Sequence, residues 1–180
     1  EGWDLAYALT LGRECCNPRP VAEKHIHNLQ APHVIGNLVY SEGINDDINK
    51  LVWLDQDWDP DRPVIETLRE IGRLFVGPDS AEAVAQGLMA LERNWSGSLL
   101  ANDGVETTLA QWRAMERDNG GAALGSYRFK MGLQRAYYDA YIRRRLLHET
   151  DVERQALEIL EKAPADRSAL AATLDRAAAL

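Results

Sequence analysis

Between Pro32 and Pro60 the chain gathers side chains whose types and spacing could bind a polyhydroxylated ligand. The centre reads Tyr40-Ser41-Glu42-Gly43-Ile44-Asn45-Asp46-Asp47-Ile48-Asn49-Lys50, followed by Trp53 and Trp58. At 100° per residue Glu42, Asp46, Asn49 and Trp53 fall in one narrow helical stripe, so a carboxylate pair, an amide and an indole point the same way. Carboxylates can move protons, amides sort donors from acceptors, and indoles offer an apolar face with a polar edge. Such a stripe could bind a sugar. A plainer reading stands beside it, because the helix dipole alone favours acids in a first turn and any amphipathic surface helix has a polar side. Trp53, an indole ending an acidic stripe, argues instead for a ligand platform or an interface.

Several elements must position these residues. The run His33-Val34-Ile35-Gly36-Asn37-Leu38-Val39-Tyr40, behind a proline and rich in β-branched residues, predicts a short strand. Ser41 is placed to cap a following helix, with Glu42 in its first turn and Ile44, Ile48, Leu51 and Val52 as its buried face. Upstream, Trp3, Tyr7, Ala8 and Leu11 suggest a short helix stopped by Gly12. Val21 to Leu29 suggests a second, burying Val21, Ile26 and Leu29. His25 and His27 sit two apart, on different helical faces, and are expected to be surface or partly buried imidazoles rather than metal partners. The adjacent Cys15 and Cys16 can neither close an ordinary disulfide nor form a zinc site alone.

Downstream, the acidic loop Asp55 to Pro63 leads into a helix with core positions Ile65, Leu68, Ile71, Leu74 and Phe75, ended by Gly77-Pro78. Asp79 and Ser80 cap the next, which buries Ala81, Val84, Ala85, Leu88 and Leu91, while Ala83, Gly87 and Ala90 allow close helix approach. A helix from Val105 to Met115 centres on Leu109 and Trp112, and Asn119-Gly120-Gly121 reads as a loop. From Ser126 to Glu161 no proline interrupts, and apolar residues occur on more than one side, the mark of a long helix inside a bundle. Phe129, Leu133, Ala136, Tyr137, Ala140 and Leu147 form one of its stripes. Arg128, Arg135 and Asp139 lie between the stripes and must be paired if buried, with Glu92, Asp46 and Asp47 as candidate partners. Pro164 breaks the run before a terminal alanine-rich helix.

Composition narrows the function. The 180 residues carry a net charge of −8, which argues against a nucleic-acid partner. No apolar run is long enough to span a membrane, and no phosphate loop, nucleophile elbow, zinc-protease motif or cysteine cluster is present, so no cofactor or metal is expected. The start at Glu1 reads as a piece of a longer protein, with the compartment left open.

The string Tyr40-Ser41-Glu42-Gly43, then Asp46-Asp47-x-Asn49-Lys50, Trp53 and Trp58-Asp59-Pro60, resembles the end of the catalytic barrel in large bacterial proteins of the glycoside hydrolase kind, some loosely akin to α-glucuronidases and hexosaminidases. Leu91-Glu92-x-Asn94-Trp95-x-Gly97 and Arg135-Ala136-Tyr137-Tyr138-Asp139-Ala140-Tyr141 are similar to the helical region that follows such barrels. The resemblance implies a barrel end over residues 1–62 and a helical bundle domain over 63–180. The expected fold is therefore all-α, a multi-helix bundle around one long central helix, with one short N-terminal β-strand. Its implied role is a C-terminal fragment of a carbohydrate-active enzyme, inactive alone, with carbohydrate and the N-terminal remainder of the same protein as partners. Glu42, Asp46 and Asp47 are then the catalytic candidates, and Tyr40, Asn45, Asn49, Trp53 and Trp58 the sugar-binding ones. The other reading is a non-catalytic helical module for protein or domain interaction, anchored by Trp53, Trp58 and Trp95.

Overall fold

The computed structural model describes residues 17–41, 45–164 and 166–179. The expected helix over Trp3–Leu11, the Cys15-Cys16 pair and Glu42 lie outside the described residues. What is described is helical: α1 (Pro20–Gln30), α2 (Asp46–Trp58), α3 (Val64–Phe75), α4 (Ala81–Arg93), α5 (Gly104–Gly125), α6 (Tyr127–Glu161) and α7 (Arg167–Ala178). Short 3₁₀ turns at Ala31–His33, Pro78–Ser80 and Leu99–Ala101 join them. The chain divides into two compact units after Ala140.

In the first unit α2 to α5 and the beginning of α6 share one core, in which Ile48, Val52, Leu68, Ile71, Val84, Leu88, Leu91, Leu109, Trp112, Phe129 and Leu133 are buried. Their spacing is the helical periodicity read from the sequence. Trp112 is the largest of them and is fully buried. It fits because two neighbouring helices present glycine. A Cβ on Gly87 of α4 would lie 3.0 Å from the indole Cε2, and one on Gly132 of α6 would overlap the ring. The Trp112 Nε1–H in turn donates to the Gly87 carbonyl at 3.3 Å. Gly72 makes the α3–α4 approach possible in the same way, since a Cβ there would meet the Ala81 carbonyl oxygen at 2.8 Å.

Several expectations are corrected. Among the described residues there is no strand, and 34–40 runs as non-helical chain after the Ala31–His33 turn because no neighbouring strand takes its backbone groups. Helix α2 begins at Asp46 rather than at Ser41, and the Ser41 hydroxyl donates to Asp47 Oδ1 at 2.9 Å. The loop expected at 119–121 is absorbed into α5, which runs on to Gly125. Two glycines cost a helix about 1 kcal/mol each, and burial of the following Ala123 shows tertiary packing overriding that propensity. In α1 the buried face is Pro20, Glu23 and His27, leaving Val21 and Leu29 exposed. Leu74 on α3 and Tyr137 on α6, both expected inside, are exposed.

The second unit, from Tyr141 on, comprises the remainder of α6 and the helix α7. Its surface carries helical ion pairs, Arg145 with Glu149 and Arg154 with both Asp151 and Glu158. Asp166 caps α7 by accepting the Ala169 amide at 3.1 Å.

The clamp on Trp112 makes a sign prediction. Gly→Ala within an exposed helix would gain about 1 kcal/mol, but Gly132→Ala should lose roughly 1–3 kcal/mol because the indole must move. Urea unfolding followed by helical circular dichroism checks it, and a raised midpoint would refute the clamp.

Candidate functional site

The residues singled out above are brought together in part. Tyr40, Asp46, Asn49 and Trp53 line one open groove of about 310 Å³ on the N-terminal half of α2, with Arg19, Glu23, Leu38 and Lys50 completing its walls. Helical spacing explains three of them, since residues 46, 49 and 53 are three and four apart on α2. Tyr40 joins from the chain that leads into the helix and is 78% exposed. Trp53 is half-buried rather than exposed and meets the His27 ring edge-on at 5.3 Å. Its Nε1 is buried and has no acceptor among the described residues. Trp58 is 91% exposed and lines a different, apolar groove of about 390 Å³ with Leu51, Leu54, Leu74 and Phe75. The contribution of Arg19 and Glu23 had no warning beyond their i,i+4 spacing, which the structure uses for an ion pair at 2.8 Å.

Not every polar group of the stretch is available to a ligand. Asn49 spends both ends of its amide on the chain entering α1: Oδ1 accepts the Arg19 N–H at 2.7 Å and Nδ2 donates to the Asn17 carbonyl at 3.1 Å. Asn45 is buried and its Nδ2 faces the Met131 carbonyl at 3.4 Å. Asp47 is fully engaged. Its Oδ1 takes bonds from Ser41 and Lys50, and its Oδ2 from the Tyr127 hydroxyl at 2.9 Å and Arg128 at 2.8 Å. Burial pushes this carboxyl up, but the hydrogen bonds from Ser41, Tyr127 and Lys50 outweigh it and hold it below the ordinary carboxylate value. An acid so held stays ionised and is unfitted to donate a proton near neutrality. Asp47 thus ties the start of α2 to the start of α6, where Arg128 also lies 3.9 Å over the Phe75 ring.

Two distant motifs meet at a buried acid. Asp139 is 0% exposed, accepts from Asn94 Nδ2 at 2.9 Å and Trp95 Nε1 at 3.1 Å, and forms an ion pair with Arg135 Nε at 2.8 Å. Arg135 lies over the Trp95 ring at 4.9 Å, and Asn94 Oδ1 accepts from Thr108 at 2.9 Å. Burial pushes the Asp139 carboxyl up, and its donors offset that only in part. All of its donors come from the protein itself, so the arrangement is a tie between helices. Among the described residues Glu92 pairs with no arginine; its carboxylate accepts the N–H groups of Val21 and Ala22, both at 2.9 Å, at the start of α1.

His27 is buried, not a surface imidazole. Its Nε2 faces Asp57 Oδ1 at 2.9 Å and its Nδ1 faces Asn28 Oδ1 at 2.9 Å, while Asn28 Nδ2 donates to the Pro60 carbonyl. Among the described residues no cluster of histidine, cysteine, aspartate and glutamate could hold a metal, and no helix is long and apolar enough to cross a membrane.

No protein-family model, curated protein or solved structure matches this chain. The functional reading therefore rests on the groove and its chemistry.

Two measurements probe these acids. Arg135→Ala leaves the Asp139 charge buried and short of a donor, and should cost roughly 2–4 kcal/mol; an unchanged melting temperature would show that the tie carries no stability. For Asp47 the sign follows from its lowered value in the fold. Its stabilisation is complete above the ordinary carboxylate value of 3.8 and is lost as pH falls through the lower folded value. Asp47→Asn should therefore be about 1.5–3 kcal/mol less stable near neutrality, with the gap to wild type closing below pH ~4. Denaturant titrations across pH 2–7 read this out, and a constant gap at all pH would contradict it.

Proposed function

We propose that this chain is the helical part of a carbohydrate-active, glycoside hydrolase-like enzyme and that the groove on α2 forms one wall of its sugar site. The observation that supports it is the convergence of Tyr40, Asp46, Asn49 and Trp53 on one open groove with Glu23 and Lys50. Aromatic faces for the apolar side of a sugar ring, and carboxylate and ammonium groups for its hydroxyls, are the mix such a ligand requires. Within the groove Asp46 and Glu23 act as hydroxyl acceptors. Asn49 shapes the wall, because its polar atoms are already bonded within the protein, and Asp47 lies outside the lining of the groove. Glu42 is the carboxylate assigned to the chemistry, and the second carboxylate comes from the remainder of the enzyme, so the chain alone binds without turning over. The short strand read at His33–Tyr40 belongs to the same proposal.

A second reading has its own support. Trp58 and Leu74, both largely exposed, flank an apolar groove between α2 and α3, as in a helical module that docks another domain of the same protein.

Titration with mono- and oligosaccharides, followed by amide shifts and tryptophan emission, separates the two. Binding should perturb residues 38–53, and Trp53→Ala should weaken it roughly tenfold, about 1.4 kcal/mol. Silence across a broad sugar panel would sink the first reading and leave the second.

A further inference from the structure

The buried imidazole of His27 has an oxygen in front of each ring nitrogen. On one side Nε2 lies 2.9 Å from Asp57 Oδ1 in the last turn of α2, and the same oxygen takes the Asn37 amide as well. On the other side Nδ1 lies 2.9 Å from Asn28 Oδ1. The Asn28 amide is oriented by its far end, where Nδ2 donates to the Pro60 carbonyl at 2.9 Å; turned over, it would set oxygen against oxygen there. A neutral imidazole has one N–H and one lone pair, and either tautomer leaves the lone pair facing an acceptor. Only a ring with both nitrogens protonated is satisfied at both contacts.

We propose that His27 is held as the imidazolium and acts as a proton-gated latch on the C-terminal half of α1. The proposal concerns the wall behind the α2 groove and stands whatever ligand the groove takes. The charges around the ring suit the proton. Asp57 on α2 is the charge in direct contact, and Trp53 of the same helix meets the ring edge-on at 5.3 Å. On α1 itself Glu23 is paired with Arg19, and Lys24 is turned to the Arg62 carbonyl. The segment before α2 contributes only the neutral Asn37. In the turn after α2 the Arg62 guanidinium is paired with Asp55 and Glu70, and Asp59 and Asp61 are exposed. Burying a cation is costly unless it is paired and hydrogen-bonded, and both conditions are met here.

Loss of one proton to solvent leaves a ring lone pair against Asn28 or Asp57 and cuts that tie. The N-terminal end of α1 stays fixed, because Glu92 accepts from Val21 and Ala22 and Asn49 accepts from Arg19. Only the second half of the helix is released, and with it the ring that packs on Trp53, a residue of the groove. The sign follows from the acceptors. The doubly protonated ring finds both of them only in the fold, so the latch holds at low pH and is lost as pH rises.

Imidazole nitrogen–proton correlation spectra of the whole chain read the proton directly, with the exposed His25, His33 and His148 as references in the same sample. At pH ~7.5, where an ordinary histidine is mostly neutral, both His27 nitrogens should still give the imidazolium pattern. Amide protection of 25–30, corrected for intrinsic exchange, should fall at least ~10-fold between pH ~6 and ~9 while α3 and α4 keep theirs. Asp57→Asn supplies an amide that can turn to donate to a neutral ring, and should remove both the imidazolium pattern at pH ~7.5 and the pH dependence of α1. A neutral His27 ring at pH ~7.5 in the unmodified chain, a readout that needs no variant, would overturn the latch. So would α1 protection that falls as steeply with pH in Asp57→Asn as in the unmodified chain.

Discussion

The first unit depends on a carboxylate that has no access to water. An ionised Asp139 inside a bundle is costly unless it is paired and hydrogen-bonded, so its donors must come from fixed places. Two of them, Asn94 and Trp95, lie just past the end of α4, and the third, Arg135, lies one turn earlier on α6 itself. Asn94 then passes the constraint to α5 through Thr108 and to the following turn through Asn102, which donates to its carbonyl. Nonpolar packing around Trp112 brings these helices close; the acid determines how they are aligned, because a slip of any one leaves a buried polar group bare.

Hydrogen-bond partners distinguish the acids of the Tyr40–Trp58 stretch. Asp47 is saturated by four donors from three parts of the chain, and Asp57 is shared between His27 and Asn37. Asp55 serves Arg62 and Thr67. These carboxylates hold α2 in place. Asp46 lines the groove beside Tyr40 and Trp53. A run that reads as a single acidic cluster in sequence is therefore shared out among several parts of the fold.

How far the sequence carried follows from where each signal resides. The core of α3 to α6 was legible at Leu68, Leu88, Leu109, Trp112, Phe129 and Leu133, because a helix keeps its buried positions in register over many turns. The stripe of Asp46, Asn49 and Trp53 was legible for the same reason. The face of α1 was not: its exposed Val21 and Leu29 and its buried Glu23 and His27 reverse the usual order, since what buries them is Arg19 on one side and Asp57 with Trp53 on the other. The continuation of α5 through 119–121 was hidden too, because glycine propensity is local while the burial of Ala123 is tertiary. Asp47 could be listed among possible partners of Arg128, but nothing in the run itself ranks it above Asp46, since the two contacts that decide are with Tyr127 and Arg128, far along the chain.

The carboxylate of Glu92 at the head of α1 bears on the order of assembly. It accepts the free N–H groups of Val21 and Ala22 across some seventy residues of chain, while α1 itself places no large aliphatic side chain in the core. A helix of that length is marginal alone, and its closing contact requires α4 to be already in place. Folding from the unfolded chain should thus begin with the locally paired α3 and α4 and add α1 late, and on the native side of the barrier α1 should be the segment that detaches first.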